Sequence, residues 1–328
     1  MNTNDGDDIG VVFRKTLGHY TVHTHGRELD CALSSLIHKQ LIFPTADPTS
    51  LSHRVREVRE IDHVDPVAIG DRVRFVEAGD GTGLIVEVLP RNSKLSRPAP
   101  VPGQRVFEQV IVSNADQVIP VFAVANPAPK WGLLDRYLVS AEAAGLSSLI
   151  VVNKLDLAWK NPGFDEEIEI YRRIGYRVLL VSAATGEGVE ELKQALQGRL
   201  SVLVGKSGVG KTSLLNAVQP GLGLRVKAVS QGEIGKGRHT TTHLEMFELD
   251  FGGALVDTPG IREFGLWNIA GEDLAYLFPE MAGYIGQCKF GLSCRHDQEP
   301  GCAVRKAVMA GAINPYRYQS YTRLREEL

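Results

Sequence analysis

The sequence of 328 residues has no long apolar run and no strong excess of one charge. No apolar stretch approaches the ~20 residues that span a bilayer, and the polar residues 1–8 lack the apolar core of a signal peptide. The formal net charge of −3 excludes a generally basic coat protein for nucleic acid. We therefore expect a cytoplasmic protein of two or three domains, without membrane association and with a disordered tail over residues 1–10.

Cysteine is scarce as well, and three of the four cysteines lie between residues 288 and 302. A cytoplasmic chain keeps its thiols reduced, which favours a metal site over disulfides. Three thiolates and one imidazole match a closed tetrahedral Zn²⁺ site that is structural rather than catalytic. The predicted zinc ligands are Cys288, Cys294, His296 and Cys302, and a plain surface role for His296 is the alternative. Cys31 is predicted to be a small buried apolar residue.

The most informative motif of the sequence is Gly205–Thr212, which fits the phosphate-binding P-loop pattern. A short apolar strand precedes it and a helix-compatible run follows it, which is the context that the motif requires. Lys211 is expected to reach the β- and γ-phosphates, and Thr212 to coordinate Mg²⁺. A Gly-rich turn with a chance lysine is the alternative. The predicted phosphate-binding residues are Gly205, Lys206, Ser207, Gly208, Val209, Gly210, Lys211, Thr212 and Ser213.

Two further loops, each behind an apolar strand, favour guanine as the base. The first is Asn153-Lys154-Leu155-Asp156, in which Asp156 is placed to accept hydrogen bonds from N1 and N2 of guanine. The second begins with Ser182-Ala183 and resembles the loop that backs the base in GTPases. The predicted base-contacting residues are Asn153, Lys154, Asp156, Ser182 and Ala183.

The remaining GTPase elements follow the P-loop. Thr240, Thr241 and Thr242 lie in a presumed switch, and one of them meets Mg²⁺ and the γ-phosphate. Asp257 is expected to hold Mg²⁺ through water, and the Gly260 N–H to sense the γ-phosphate. The base-reading loops therefore precede the P-loop, which is a circularly permuted order. Such an order is permissible because the binding loops of a parallel sheet gather at the carboxyl ends of its strands wherever the chain is cut.

The first hundred residues differ from the rest, with short alternating strands punctuated by turns and no amphipathic helix between them. This pattern predicts a five-stranded OB-fold barrel, a fold that commonly binds nucleic acid. We expect a loop between residues 39 and 64. The segment 91–98, together with Arg105, carries four cations and no acid, and it is either an RNA-backbone contact or a solvated linker.

The chain's C-terminal residues are predicted to form two helices after the cysteine cluster, 303–309 and 316–328. Five basic residues there are expected to face a polyanion: Arg305, Lys306, Arg317, Arg323 and Arg325. With so few residues, this domain needs a metal to stabilise it. The predicted architecture is an OB-fold barrel over 11–106, a circularly permuted α/β P-loop GTPase domain over 107–270 and a zinc-binding helical domain over 271–328.

Together these motifs resemble the RsgA family, the circularly permuted GTPases that depend on the small ribosomal subunit. The resemblance implies a factor in late maturation of the 30S subunit, whose GTP hydrolysis the subunit stimulates and whose nucleotide state controls binding and release. It also implies that the barrel and the zinc domain contact 16S rRNA, and we expect a monomer. Five residues separate Cys288 from Cys294, one more than is usual in the family. An RNA-binding assembly scaffold with GTP as a structural ligand is the alternative.

The position that holds a water-orienting glutamine in Ras-like GTPases is occupied here by Ile261, which cannot hydrogen-bond water. Another group must act. His239, beside the threonines of the presumed switch, is the predicted catalytic residue, as its resemblance to the family's histidine at that place also implies. Simple packing of His239 in its loop is the alternative reading.

Overall fold

The structure, a computed structural model, describes residues 8–16, 18–35, 37, 39–42, 57–60, 66–99, 107–222, 245–257 and 266–328. The chain divides into two compact units, which we call the barrel unit (residues 1–114 and 238–247) and the α/β unit (residues 115–237 and 248–328). The predicted boundaries at 107 and 271 differ from this division. The C-terminal residues belong to the α/β unit because their core is continuous with the buried Val139 of a helix in that unit.

The barrel unit contains nine strands and part of a tenth among its described residues. In chain order they are β1 (Asp8–Thr16), β2 (His19–Thr24), β3 (Arg27–Leu33), β4 (Lys39–Ile42), β5 (Glu57–Glu60), β6 (Arg72–Glu77), β7 (Thr82–Val88), β8 (Lys94–Ala99), β9 (Phe107–Ser113) and the start of β14 (Glu245–Glu248). β4 pairs with β5, so the predicted loop between residues 39 and 64 contains two short antiparallel strands.

Five of these strands close a barrel in the order β1–β2–β3–β7–β6, with β6 returning to β1. All neighbours are antiparallel except β3 and β7, which run parallel. The barrel interior is filled by alternating apolar residues such as Val12, Val22 and Phe75, each almost fully buried. Cys31 is buried there as predicted, and burial raises the pKa of its thiol to about 11. The five-stranded barrel predicted for this region is therefore confirmed.

Disorder was predicted for residues 1–10, but residues 8–10 belong to β1, which begins at Asp8; residues 1–7 lie outside the described residues. Ile9 of β1 pairs with Arg74 of β6, and Gly10 pairs with Val73. A Cβ atom at Gly10 would lie 2.3 Å from a methyl carbon of Val22, so the lack of a side chain lets the strand pack closely. Barrel closure orders these residues despite their polar surroundings in the sequence.

The cationic segment 91–98 is mostly engaged within the barrel unit. Arg91 forms two hydrogen bonds of 2.7 Å with the fully buried carboxylate of Asp71. Lys94 pairs with the buried Glu108, and Arg97 donates to the side chain of Gln109 at 2.8 Å. The neighbouring strand β9 supplies the acid that the segment itself lacks. Neither reading of the segment, as an RNA contact or as a solvated linker, therefore describes Arg91.

The α/β unit is built on a parallel sheet in the order β12–β11–β10–β13–β15. Its strands are β10 (Gln117–Ala123), β11 (Ser147–Asn153), β12 (Arg177–Leu180), β13 (Leu200–Val204) and β15 (Ala254–Asp257). Every residue of β10 is buried, as expected for the centre of a parallel sheet that helices cover. The sheet helices are α1 (Trp131–Ala143), α2 (Phe164–Ile174), α3 (Val189–Leu196) and α4 (Lys211–Val218).

Residues 266–328, which we call the C-terminal module, are helical. They contain 3-10 turns at Leu274–Leu277 and Gly291–Ser293, and helices α5 (Pro279–Ala282), α6 (Ala303–Met309) and α7 (Pro315–Glu326). The Asn314 side chain caps α7 by accepting from the Tyr316 N–H, and Pro315 occupies the first turn. Across the described ranges, no helix is long and apolar enough to cross a membrane.

Candidate nucleotide site and cysteine cluster

The P-loop leads from β13 to α4, and glycine is needed at both of its ends. Gly205 has φ of 155°, and a Cβ atom there would lie 2.4 Å from the carbonyl oxygen of Val121. Gly210 has φ of 93°, and its Cβ atom would lie 2.4 Å from Nδ2 of Asn153. Only glycine fits at these two points, so the loop passes close to the neighbouring strand and to the base-reading loop.

Lys211, the first residue of α4, is half-buried beneath the loop. Its Nζ donates to the carbonyl oxygen of Gly205 at 2.6 Å. Burial lowers the pKa of Lys211, and the nearby Asp257 carboxylate opposes that shift. A partly desolvated cation inside a loop of backbone N–H groups is suited to binding the phosphates of a nucleotide.

The side chain of Asn153 connects three segments of the site that are distant from one another in sequence. Its amide is almost fully buried, and Nδ2 donates to the carbonyl oxygens of Val209 and Gly210 at 3.1 and 3.4 Å. Its Oδ1 accepts from the Ala183 N–H at 3.1 Å. One side chain therefore fixes the P-loop, the end of β11 and the loop after β12 relative to one another.

Lys154 and Asp156 follow on the same loop. Lys154 has a left-handed backbone, with φ of 63°, and its Nζ donates to the carbonyl oxygens of Gly208, at 2.7 Å, and Asn126. Asp156 is exposed, and its Oδ1 accepts from the hydroxyl of Ser182 at 2.6 Å. The buried Ser182 thus orients the carboxylate that the sequence assigns to guanine recognition.

Among the residues that the structure describes, Asp257 and Thr212 are the candidates for a magnesium site. Asp257 is buried at the end of β15 and is paired in register with Leu203, just before the P-loop. Thr212 is exposed in the first turn of α4. A carboxylate and a hydroxyl are hard oxygen donors, which are the ligands that Mg²⁺ prefers, so this donor set fits that ion. The predicted switch residues His239, Thr240, Thr241, Thr242 and Gly260, and also Ile261, lie outside the described residues.

The four predicted zinc ligands meet in the C-terminal module. Cys288, Cys294, His296 and Cys302 are all buried, and their ligand atoms lie within 4.8 Å of one another. Nδ1 of His296 is 3.4 Å from Cys288 Sγ and 3.5 Å from Cys302 Sγ, and these two sulfur atoms are 3.9 Å apart. Ligands at zinc bond lengths on a tetrahedron lie about 3.5–3.8 Å apart, so the cluster fits Zn²⁺. The extra residue between Cys288 and Cys294 is accommodated.

Groups around the cluster support this geometry. The Ala303 N–H donates to Cys288 Sγ at 3.2 Å, and Cys302 caps α6 by accepting from Arg305 N–H. From α7, the Tyr318 hydroxyl donates to the carbonyl oxygen of His296 at 2.8 Å. Burial raises the pKa of the Cys294 thiol to about 12, and a nearby cation would favour the thiolate instead. Tyr318 was not predicted to support the cluster, because it lies 22 residues after His296 in the sequence.

The fold and these residues define a class of protein. Two base-reading loops follow β11 and β12 on one side of the P-loop strand, β15 lies on its other side, and both base-reading strands precede the P-loop in the chain. That arrangement is a circularly permuted P-loop GTPase with a barrel and a cysteine-rich helical module. The sequence profile of the RsgA GTPase family matches residues 88–267, and the chain belongs to this family.

Curated relatives agree with that assignment. A protein of Gemmatimonas aurantiaca named small ribosomal subunit biogenesis GTPase RsgA is 45% identical over 284 residues, which is 85% of this chain and 90% of the relative. A protein of the same name from Azotobacter vinelandii is 45% identical over 77% of this chain and 72% of its own length. YjeQ from Thermotoga maritima has a similar crystal structure, with a TM-score of 0.71 and 32% identity over 98% of both chains.

A second solved structure extends the comparison. YloQ, described as a circularly permuted GTPase, gives a TM-score of 0.68 at 26% identity and covers 100% of this chain and 96% of its own. The circularly permuted order predicted from the sequence is therefore confirmed, as is the family.

Proposed function

We propose that this protein hydrolyses GTP to GDP and phosphate during late maturation of the 30S ribosomal subunit in the cytoplasm, and that the subunit stimulates the reaction. The observation that supports this most directly is the Asn153 bridge, which fixes a base-reading loop against a P-loop. The relatives named small ribosomal subunit biogenesis GTPase supply the cellular process.

In this proposal, recognition of GTP is divided between two groups of residues. The Asp156 carboxylate, oriented by Ser182, accepts hydrogen bonds from guanine N1 and N2, which adenine cannot provide. Lys211 and the backbone N–H groups of the P-loop bind the phosphates. Thr212 and Asp257 hold Mg²⁺, which neutralises charge on the phosphates when it is bound. The predicted threonine and glycine contacts of the switch loops, Thr240–Thr242 and Gly260, belong to the same proposal.

Zinc has a structural part in the proposal. Cys288, Cys294, His296 and Cys302 leave no coordination position for a substrate, so the ion stabilises the C-terminal module. The proposed RNA partner is 16S rRNA, and the barrel unit and the C-terminal module would contact it. The protein would act as a monomer. Arg317 is excluded from any such contact because it is buried, whereas Arg323 and Lys306 are exposed.

The decisive experiment measures GTP turnover with and without purified 30S subunits, with 50S subunits as the control. We expect stimulation by 30S alone, and we expect excess ATP to leave the rate unchanged. An RNA-binding scaffold with GTP as a structural ligand would instead show the same turnover with and without the subunit. Competition by ATP would point to a different nucleotide class.

His239 remains the proposed water-positioning residue, since Ile261 cannot take that role. We predict that His239→Ala lowers 30S-stimulated turnover by about 100-fold while leaving the Kd for a GTP analogue within about twofold. Single-turnover hydrolysis and equilibrium binding on the same preparation separate the two effects. Stimulated turnover at the wild-type rate would exclude His239 from catalysis.

A further inference from the structure

Arg317 of α7 is a buried cation outside the predicted nucleotide site. Its side chain is 1% exposed, and its Nε donates to Glu280 of α5 at 2.7 Å. Its Nη1 donates to Asp135 of α1 at 2.7 Å, and its guanidinium carbon lies 4.6 Å from the ring centroid of Phe278. Although burial alone lowers the pKa of Arg317, the two carboxylates raise it overall, so the group stays charged.

The same network includes α2. Asp135 is 2% exposed, and its Oδ1 also accepts from the Tyr171 hydroxyl at 2.8 Å. Tyr171 lies on α2, which connects the neighbouring strands β11 and β12, and its ring centroid is 5.7 Å from that of Trp131 at the start of α1. A single guanidinium from the C-terminal module therefore fixes both helices that flank the base-reading strand β11.

The segment that leads into α1 contacts two of the loops that are predicted to bind the nucleotide. The segment 124–130 joins β10 to α1, and its Asn126 carbonyl oxygen accepts from Lys154. The same ammonium group donates to the P-loop carbonyl oxygen of Gly208. A Cβ atom at Gly208 would lie 3.7 Å from Cδ of Pro127. A displacement of the start of α1 would thus alter contacts to both the base-reading loop and the P-loop.

Stability alone does not account for this network. Removing two carboxylates and a guanidinium from water costs several kcal/mol per ion, and similar buried triads can be replaced by apolar residues without loss of stability. What the charges provide is a defined geometry, because hydrogen bonds from a planar guanidinium fix the directions of Asp135 and Glu280. The network fixes the position of α1 and α2 relative to the C-terminal module.

We propose that Arg317 is a positioning residue through which the C-terminal module sets the nucleotide affinity of the GTPase site. The inference rests on the proposed function in that it requires guanine nucleotide binding. It adds a route through α1 and α2, on the base-reading side of the sheet. Because coupling between two sites is reciprocal, bound GDP must in turn stabilise the C-terminal module and its metal.

The first test compares Arg317→Met with Arg136→Met in the zinc-loaded full chain. Arg136 of α1, itself half-buried, pairs with the exposed Glu327 just after α7, so its variant breaks a partly exposed ion pair across the same two helices. We expect Arg317→Met to raise the Kd for GDP by about tenfold and to speed amide exchange in residues 124–130, and Arg136→Met to change the Kd by less than about twofold. A folded Arg317→Met protein with wild-type GDP affinity would overturn the inference.

A triple variant keeps the proposal testable if Arg317→Met does not fold, since it leaves no buried charge unpaired. In Asp135→Leu, Glu280→Met and Arg317→Met combined, apolar residues fill the space of the three ions. We expect it to fold with zinc bound and still to bind GDP about tenfold more weakly than the wild type. Wild-type GDP affinity in this variant would overturn the proposal.

The second test follows zinc release to a chromogenic chelator, with and without saturating GDP. We expect GDP to slow the release from the wild type by about fivefold or more and to have no effect on Arg317→Met. Zinc release that GDP does not alter in the wild type would overturn the coupling. Failure of the wild type to bind GDP at all would instead overturn the proposed function, and the inference with it.

Discussion

At the scale of single residues, the site shows a division between side chains that would contact the nucleotide and side chains that hold those contacts in place. Asp156 and Lys211 belong to the first group. Asn153 and Ser182 belong to the second, since each is almost fully buried and is hydrogen-bonded to protein groups. Under the proposed function, specificity for guanine would thus depend on the exposed Asp156 carboxylate, which the buried Ser182 orients.

Asp156→Asn is predicted to exchange one base preference for another. Loss of two charge-assisted hydrogen bonds to guanine should weaken GDP binding by about 100-fold. An asparagine amide can donate to the 2-carbonyl oxygen of xanthine, so the variant should prefer xanthosine diphosphate. Isothermal titration with both nucleotides measures the change, and Asp165→Asn, at an exposed acid of α2, is the control. Equal weakening for both nucleotides would indicate a general defect instead.

Lys211→Met is predicted to abolish nucleotide binding without destabilising the empty protein. Because burial lowers the pKa of Lys211 below 10.5, its charge disfavours the folded state at pH 7. That penalty is present in full below the lowered pKa and disappears as the pH rises towards 10.5. At pH 7 the variant should therefore melt at or above the wild-type temperature and show no rise with GDP. Lys306→Met, at an exposed lysine of α6, should keep the rise; a lower melting temperature of empty Lys211→Met would contradict the argument.

At the scale of elements, the sequence predicted those helices and strands whose signals are local. Helix α6 has the predicted bounds, 303–309, and a strand precedes the P-loop and each of the two predicted base-contacting loops, as expected from the apolar runs there. Period, apolar runs and glycine punctuation are properties of adjacent residues, and they suffice to place such elements. The P-loop and the four clustered ligands could be predicted for the same reason, because the residues of each lie close together in the sequence.

What the sequence did not reveal depends on partners that are distant in the chain. Arg317 was predicted to face a polyanion, but it is buried against Asp135, 182 residues earlier. Arg91 was considered for RNA, but its partner is Asp71 across the barrel unit. A basic residue looks the same in sequence whether its counter-charge is a phosphate or a buried carboxylate. Only the fold decides between them.

Helix α7 is predicted to control how firmly the C-terminal module holds zinc. The Tyr318 hydroxyl donates to the carbonyl oxygen of the ligand His296, so Tyr318→Phe should loosen the loop that presents it. We expect chelator-driven zinc loss to become about tenfold faster, at the lower end of the effects of outer-shell partners. Tyr316→Phe is a matched control because Tyr316 is 74% exposed on the same helix. Equal rates for the two variants would exclude this role.

At the scale of the whole molecule, the permuted order alters which part of the chain follows β15, the strand that ends at Asp257. Asp257 ends β15, the last strand of the sheet, and the C-terminal module begins nine residues later at 266. Arg317 then returns from that module to α1, the first helix of the sheet. The end of the chain is therefore joined to the α/β unit both by sequence and by a buried ionic contact. A conventional order would place the base-reading strands after Asp257 instead.

The two compact units are predicted to respond separately to ligand and to mutation. The described nucleotide-site residues lie in the α/β unit, whereas the Asp71–Arg91 pair lies in the barrel unit. GDP at 100 times its Kd should stabilise only the unit that binds it, by about 2.7 kcal/mol. Asp71→Asn leaves the half-buried Arg91 without its counter-charge, at a cost of about 3 kcal/mol, and should act on the barrel unit alone.

Scanning calorimetry of the wild type and of Asp71→Asn, each with and without GDP, therefore forms a crossed experiment. We expect two transitions, one raised by GDP in both proteins and the other lowered by the substitution by about 10 °C or more. The substitution should leave GDP affinity unchanged, because Asp71 lies in the barrel unit whereas the described nucleotide-site residues lie in the α/β unit. Glu28→Gln, at an exposed acid on β3, is the control. A single transition that is shifted both by GDP and by Asp71→Asn would contradict the prediction of separate responses, because the two units would then unfold together.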